Sequence, residues 1–219
     1  MQTPTQTAIH PQFGQVTYTI REVPDDPESQ VQATIAMMRD NAIHGAATPI
    51  IRQQAADIAA ECGPDQLAQV EAAWLTVKSR LTFQEDSQTA GQFARHDSPI
   101  VEALLLPEDV AAGHLTHGDC DDFSVYAASL LTALRIPCSF VTIAAEPIAP
   151  SQFTHVYVAV TVNGQRIAVD CSHGEYCGWE SPTILRIQEW PVGGGSSTTW
   201  AVIAALTAAG YYLYKRKAA

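Results

Sequence analysis

Basic residues are scarce in this sequence. Its 219 residues include 12 lysines and arginines against 23 aspartates and glutamates, so the formal net charge is -11 at pH 7. A protein that binds nucleic acid concentrates positive charge on one face, and no stretch of this chain has such a basic stripe. The composition therefore argues against a nucleic-acid partner. A hydrophobic fraction of 47% with 16% charged residues is typical of a folded chain with one full-sized core.

Cysteines are also few. The chain has five, an odd number spread over its length, which fits reduced thiols better than a disulfide framework. Residues 1–9 are polar and lack both a basic segment and an apolar core, so we expect no signal peptide. The sequence has no internal repeat, and these features together predict one domain with short appended segments.

One long uncharged stretch lies at the C-terminus. Residues 191–199 are a linker rich in glycine and serine, and the chain beyond it carries no charge before the basic triplet 215–217. This stretch is just long enough for a membrane-spanning helix. Trp200 lies at one end and three tyrosines lie at the other, as in the aromatic belts of such helices. Membrane association through residues 198–217 is one interpretation. The other is an alanine-rich helix over 200–217 that docks on the domain or on another subunit.

The spacing of apolar residues divides the chain into a helical first part and a strand-rich second part. Residues 1–29 look mostly irregular, apolar spacings of three and four residues follow them, and alternation begins after residue 137. The sequence therefore predicts an α+β domain over residues 30–190, with helices first and an antiparallel sheet after them. Besides a central helix, the predicted elements are a strand at 15–22, helices at 29–41 (capped by Ser29), 49–62, 64–81 and 99–106, and strands at 138–144, 153–162 and 165–170.

The chain is organised around one helix in its middle. Bulky apolar residues recur from Phe123 to Leu134 at helical spacings, which marks a face packed into a core, and Pro137 closes the helix. Asp119 can cap its first turn, which then contains Cys120. Free N–H groups and the helix dipole favour a thiolate there, whereas the neighbouring aspartates oppose it. A nucleophilic Cys120 would therefore need a partner base.

A predicted hairpin supplies that base. Asn163-Gly164 lies between two alternating apolar runs and is a strong signal for a two-residue turn. Such a turn places Tyr157 opposite Asp170, with His155 two residues along on the same face. A four-residue loop would pair His155 with Asp170 directly, whereas a three-residue loop would put them on opposite faces. Cys120, His155 and Asp170 can supply a nucleophile, its base and the carboxylate that orients the imidazole.

Several separate blocks of the chain carry a family pattern. They are Trp74-Leu75-Thr76-Val77-Lys78-Ser79-Arg80-Leu81-Thr82-Phe83, Gly118-Asp119-Cys120-Asp121-Asp122, Leu134-Arg135-Ile136-Pro137-Cys138-Ser139-Phe140, Thr154-His155-Val156-Tyr157, Val169-Asp170 and Gly178-Trp179-Glu180-Ser181-Pro182. In this order the blocks resemble the transglutaminase-like superfamily, and within it the bacterial and phage transglutaminase-like cysteine peptidases. The resemblance covers roughly residues 30–185.

The resemblance implies a papain-like α+β fold in which Cys120 is the nucleophile, His155 the base and Asp170 the orienting residue. It implies acyl transfer on amide bonds of a protein or peptide through a thioester. Water as the acceptor would make the enzyme a peptidase or amidase, and an amine would make it a transglutaminase. The backbone N–H of Cys120 would belong to the oxyanion hole. A side-chain donor is also implied, but neither Trp74 nor Gln84 is assigned to it.

Two groups of residues could also hold a metal ion. They are His114, His117 and Cys120, and the looser cluster Cys171, His173 and Cys177. Neither has the paired short spacings of a structural zinc site, and the first would consume the proposed nucleophile. Cys62 and Cys138 are interpreted as core thiols. We therefore predict no metal and no cofactor.

A binding protein is the alternative from another functional class. In that interpretation the chain is a catalytically idle transglutaminase-like fold that holds a partner, for example as a virion protein. A phage origin fits both interpretations because similar patterns occur in phage-encoded proteins. The expected location is accordingly the cytoplasm or a virion, unless the C-terminal helix anchors the chain in a membrane.

Overall fold

A buried helix lies at the centre of this computed structural model. The structure describes residues 5–10, 14–22, 26–84 and 101–193, with the backbone alone for 5–10, 14–22 and 101–103. The central helix spans Cys120–Ala133, and all of residues 121–131 are buried. A helix that is enclosed on every side belongs to the core of its domain, which confirms the predicted position of this element.

Four further helices precede the central one in the described residues. The five are α1 (Pro27–Ala47), α2 (Pro49–Cys62), α3 (Gln66–Arg80), α4 (Pro107–Ala111) and the central α5 (Cys120–Ala133). Helix α1 begins before its predicted start because Asp26, and not Ser29, is its cap. An Asp26 carboxylate oxygen accepts a hydrogen bond from the Ser29 N–H at 2.9 Å, so the aspartate satisfies a first-turn donor.

The strands form three sheets in the described residues. They are β1 (Thr5–His10), β2 (Gly14–Glu22), β3 (Thr82–Phe83), β4 (Val101–Leu105), β5 (His117–Gly118), β6 (Cys138–Ala144), β7 (His155–Val162), β8 (Gln165–Val169) and β9 (Arg186–Pro191). The largest sheet is antiparallel with the order β8-β7-β6-β9. A second antiparallel sheet has the order β1-β2-β4, and β3 and β5 form a short parallel pair. Helices followed by this antiparallel sheet confirm the α+β class.

The predicted helix at 99–106 is wrong. Val101–Leu105 is strand β4, which pairs with β2 in antiparallel register from Tyr18↔Leu105 to Glu22↔Val101. So short a helix is marginal by itself, whereas pairing with β2 satisfies the backbone groups of alternate residues in the segment. The predicted strand at 15–22 is confirmed as β2, and β1 is a strand that the sequence did not indicate.

The large sheet packs one face of β7 against helix α5. Alternate residues of β7 from Val156 to Val162 belong to the main core, whereas Tyr157 and Ala159 join a smaller cluster on the other face. The β7–β8 hairpin turns at Asn163 and Gly164, whose φ angles of 52° and 78° are those of a type I′ turn. Its register pairs Val162 with Gln165, which confirms the predicted two-residue turn.

The C-terminal prediction lies outside the described residues. In the ranges 26–84 and 101–193, none of the helices combines the length and the apolar character that a bilayer crossing requires. The predicted helix over 200–217 and most of the linker fall beyond residue 193.

Candidate active site

Cys120 is the first residue of helix α5, and aspartates hold the start of that helix in place. Asp119 and Asp122 form a reciprocal capping box, in which the Asp119 N–H donates to an Asp122 carboxylate oxygen at 3.2 Å. The other Asp122 oxygen accepts from the Leu105 N–H at 2.8 Å, which ties the helix to β4. A Cβ atom at Gly118 would lie 2.8 Å from the Cβ of Asp122, so this close approach requires glycine. The predicted capping role of Asp119 is confirmed.

The start of α5 is also fixed against strand β7. The Ser124 hydroxyl oxygen lies 2.6 Å from the carbonyl oxygen of Cys120 and 3.2 Å from that of Val156. Val156 follows His155, so a single buried hydroxyl links the segments that carry the thiol and the imidazole. Cys120 is half-buried, and it lines the same cavity as His155. The structure therefore brings these two predicted residues to one cavity.

His155 is held by Asp170 across the β7–β8 hairpin. The Nε2 atom of His155 lies 2.7 Å from Oδ2 of Asp170, and the two side chains are only 9% and 2% exposed. The other carboxylate oxygen, Oδ1, accepts from the N–H and the hydroxyl of Ser172 and from the N–H of His173, at 2.9 to 3.1 Å. Four donors thus surround one buried carboxylate, which fixes its orientation.

These contacts determine the charge of Asp170 and the tautomer of His155. Burial raises the pKa of Asp170, but the hydrogen bond and charge of His155 and the donors of the loop outweigh it, so the pKa is lowered overall. An ionised carboxylate only accepts hydrogen bonds, so the Nε2 atom of His155 must carry the proton. In the neutral imidazole, Nδ1 then has the basic lone pair. That atom is buried and has no hydrogen-bond partner among the described residues.

Aromatic rings enclose the imidazole of His155. Tyr157 stacks on it with ring centroids 5.9 Å apart, and the Tyr157 hydroxyl donates to Glu180 at 2.6 Å. His173 meets the same imidazole edge to face at 4.6 Å and is itself in contact with Phe83 at 4.9 Å. Partial burial and the positive charge that His155 can carry lower the pKa of His173, which favours its neutral ring. In the sequence, His173 appears only as a member of a possible metal cluster, and no local pattern indicates its contact with His155.

Helix α3 anchors the loop that carries Asp170. The Trp74 indole N–H donates to the Asp170 carbonyl oxygen at 2.8 Å, and the Lys78 ammonium donates to the Gly174 carbonyl oxygen at 2.6 Å. A Cβ atom at Gly174 would lie 2.3 Å from the Asp170 carbonyl oxygen, so the loop closes tightly on itself. Trp74 therefore supports the Asp170 backbone. No local pattern could have revealed a contact between residues 96 positions apart.

The side-chain oxyanion donor stays unassigned. The only N–H of the Trp74 side chain is committed to the Asp170 carbonyl oxygen. The backbone N–H of Gln84 donates to the Gly118 carbonyl oxygen at 2.9 Å, which places Gln84 beside the start of α5. The backbone N–H of Cys120 is one of the first-turn donors that a helix leaves outside its own hydrogen-bond ladder.

The metal-ligand groups seen in the sequence do not assemble. Within the described part of the chain, neither His114, His117 and Cys120 nor Cys171, His173 and Cys177 brings its ligand atoms within 4.8 Å of one another. The sets that do are His155, Asp170 and His173, and Asp119, Asp121 and Asp122. A cation would compete with the hydrogen bonds of Asp170 in the first set and with the capping box in the second.

Three of the remaining thiols, Cys138, Cys171 and Cys177, are poor nucleophiles. All five cysteines lie in the described residues, and none forms a disulfide. Burial raises the pKa of Cys138 to about 12 and that of Cys177 to about 11, and it raises the pKa of Cys171 well above its ordinary value. Cys138 is a core thiol as predicted, and Cys62 is half-buried against the main core.

Comparison with solved structures gives a distant likeness in fold. No protein-family model matches this chain, and no curated protein matches it. A protein of Cytophaga hutchinsonii, provisionally assigned as a cysteine protease and solved at 1.9 Å, is similar over 80% of this chain. The two share 14% sequence identity with a TM-score of 0.42, and the chain covers 55% of that protein's length.

Proposed function

We propose that this protein is a transglutaminase-like cysteine enzyme of papain-like fold that transfers acyl groups from amide bonds. One observation carries the proposal. The buried imidazole of His155, held by Asp170 at 2.7 Å, has its Nδ1 atom without a partner in the described residues and lines the same cavity as the Cys120 thiol. A nucleophile, a base and an orienting carboxylate are the groups that thiol-based acyl transfer requires. The proposed catalytic domain covers residues 30–190.

In the proposed first step, the Cys120 thiol gives its proton to Nδ1 of His155, and the thiolate attacks the amide carbonyl carbon. The helix dipole at the start of α5 favours that thiolate. The negative charge on the carbonyl oxygen is stabilised by the backbone N–H of Cys120. The imidazolium of His155 is stabilised in turn by the ionised Asp170. His155 then returns the proton to the nitrogen of the leaving amine, the carbon–nitrogen bond breaks, and a thioester remains on Cys120.

The second step repeats the same chemistry with another nucleophile. His155 takes a proton from water or from an amine, which attacks the thioester carbonyl carbon. Collapse of the tetrahedral intermediate releases the Cys120 thiolate, which regains its proton from His155. Water yields a carboxylic acid, and an amine yields a new amide. The proposed substrate is a protein or peptide because its amide bonds supply the acyl group.

Alkylation of Cys120 tests the proposal without a known substrate. An ordinary thiol with a pKa near 8.5 is only about 0.3% ionised at pH 6, whereas a thiolate paired with an imidazolium is largely ionised. Iodoacetamide at pH 6 should therefore label Cys120 up to about 100-fold faster than an ordinary thiol. Intact-mass spectrometry with peptide mapping would follow wild type, Cys120→Ala and His155→Ala.

The expected result is one fast adduct that is lost in Cys120→Ala and slowed in His155→Ala. The raised pKa values of Cys138, Cys171 and Cys177 keep those thiols silent at this pH. Labelling of Cys120 no faster than that of Cys62 would contradict the proposal. The chain would then be better described as an idle fold that binds a partner.

A further inference from the structure

The cavity beside Cys120 and His155 has a volume of about 300 Å³, and helix α1 forms one of its walls. Residues at spacings of three and four, which share one helix face, supply that wall. They are Gln30, Val31, Thr34, Ile35 and Met38. Pockets for whole ligands are about 300 to 1,000 Å³ in volume. This cavity lies at the lower end of that range, so we expect it to hold one or two side chains and not a large ligand.

The floor of the cavity is mainly apolar. Five lining residues are at most 8% exposed, and three of them, Ile35, Met38 and Val156, are apolar, whereas Asp121 and Thr142 are polar. The charged residues of the lining are acidic, namely Asp119 and Asp121 next to Cys120, and no lysine or arginine of the described residues lines it. An aliphatic side chain gains free energy from burial against such a floor, whereas a carboxylate would be desolvated without a cation to pair with.

A single arginine braces the rim of the cavity. The Arg186 guanidinium lies over the ring of Phe153, 4.2 Å from its centroid, and Phe153 is a lining residue. The same guanidinium donates to the Ser151 carbonyl oxygen at 3.0 Å and to a Glu28 carboxylate oxygen at 3.0 Å. Glu28 belongs to the first turn of α1. Arg186 therefore joins α1 to the segment that leads into His155 and holds both walls at a fixed separation.

We propose that this cavity binds the side chain of the acyl-donor residue, that it prefers an uncharged aliphatic side chain of leucine size, and that Arg186 is a positioning residue for it. The inference rests on the proposed function, because it requires the attacked carbonyl to lie at the Cys120 thiol. Cys120 lines the same cavity as Ile35, Met38 and Val156, so the side chain of the residue that supplies the carbonyl would enter that cavity. The acidic residues beside Cys120 disfavour a carboxylate in the same place.

Peptidyl chloromethyl ketones that differ only in the side chain next to the reactive carbonyl test this preference. They alkylate Cys120 irreversibly, so the second-order labelling rate reports how each side chain fits. The leucine probe should label wild type at least about tenfold faster than the glutamate probe. Equal rates for the two probes would overturn the inference. Slow labelling of Cys120 by iodoacetamide at pH 6 would instead contradict the proposed function itself.

A positive charge introduced into the lining gives a change of specificity that partial unfolding cannot imitate. Val31→Lys should slow the leucine probe and speed the glutamate probe, because the new ammonium can pair with the carboxylate. Ile43→Lys is the matched control on the same helix, since Ile43 is 49% exposed and does not line the cavity. It should leave the ratio of the two rates unchanged. A ratio that shifts equally in both variants would refute the assignment of the lining.

The role of Arg186 is tested by separating binding from reaction. Arg186→Ala should raise the concentration of leucine probe that gives half-maximal labelling by several-fold, with the maximal labelling rate conserved. Arg186→Lys can keep one of the two polar contacts and should fall between the alanine variant and wild type. A half-maximal concentration unchanged in Arg186→Ala would show that the brace does not position the cavity walls.

Discussion

Replacing Asp170 by asparagine isolates the role of its charge, because the two side chains have nearly the same shape. The amide oxygen can keep the hydrogen bonds that Oδ1 accepts from Ser172 and His173. The amide nitrogen then faces His155 where Oδ2 now lies at 2.7 Å. Because an NH₂ group only donates, Nε2 of His155 must become the acceptor. The proton of the neutral imidazole moves to Nδ1, which can no longer take a proton from Cys120.

The expected slowing of Cys120 labelling follows from the loss of the general base in a variant that keeps its fold. Without the base Cys120 becomes an ordinary thiol, so its labelling by iodoacetamide at pH 6 should slow by up to about 100-fold. The charge-assisted hydrogen bond contributes about 1.5 to 3 kcal/mol, which the variant loses in part. The variant should therefore fold, with a lower urea midpoint than wild type.

Alkylation at two pH values distinguishes a loss of thiol activation from a change in the accessibility of Cys120 to the reagent. Near pH 9.5 an ordinary thiol ionises without a base, so wild type and Asp170→Asn should label Cys120 at similar rates there. Asp57→Asn removes an exposed carboxylate from α2 and should match wild type at both pH values. A folded Asp170→Asn variant that labels as fast as wild type at pH 6 would refute the tautomer argument.

Three further predictions concern the supports of the site. Gly118→Ala should destabilise the fold by about 1 to 3 kcal/mol in urea, because its methyl group would overlap Asp122; unchanged stability would contradict the account of the helix start. Trp74→Phe should lose the hydrogen bond to the Asp170 carbonyl oxygen and slow Cys120 labelling at pH 6 more than at pH 9.5, and equal slowing at both would point to general loosening. Because the folded pKa of Asp170 is lowered, its ionised form contributes stability above its ordinary pKa of 3.8 that is lost as pH falls through the folded value. The urea midpoint of wild type should therefore approach that of Asp170→Asn under acid conditions, and a difference that grows on acidification would contradict the sign.

The contacts that the sequence could predict are those determined by local rules. Asn163-Gly164 specifies a two-residue turn, and the period of two along a strand then places His155 on the same face as Asp170. The helix that begins at Cys120 is indicated by its cap and by the spacing of its apolar residues. Both signals act over a few residues, so a single sequence contains them.

The remaining features depend on segments that are distant in the chain. Strand β4 was predicted as a helix because its partner β2 lies about 80 residues earlier, from Tyr18 to Glu22 against Leu105 to Val101. The indole of Trp74 and the ring of His173 meet the Asp170–His155 pair only after folding. The α1 wall of the cavity has the apolar spacing of an ordinary core helix, so nothing in its pattern distinguishes a cavity lining from a core face.

Trapping of the thioester tests the central claim most directly. Wild type would be mixed with an activated aryl ester at pH 6, quenched in acid, and analysed by intact-mass spectrometry with peptide mapping. The account predicts a mass increase of one acyl group on Cys120 that hydroxylamine removes. The adduct should be absent in Cys120→Ala and should form slowly in His155→Ala. Acylation that is equally fast in His155→Ala, or that maps to another residue, would contradict the proposed roles of Cys120 as nucleophile and His155 as base.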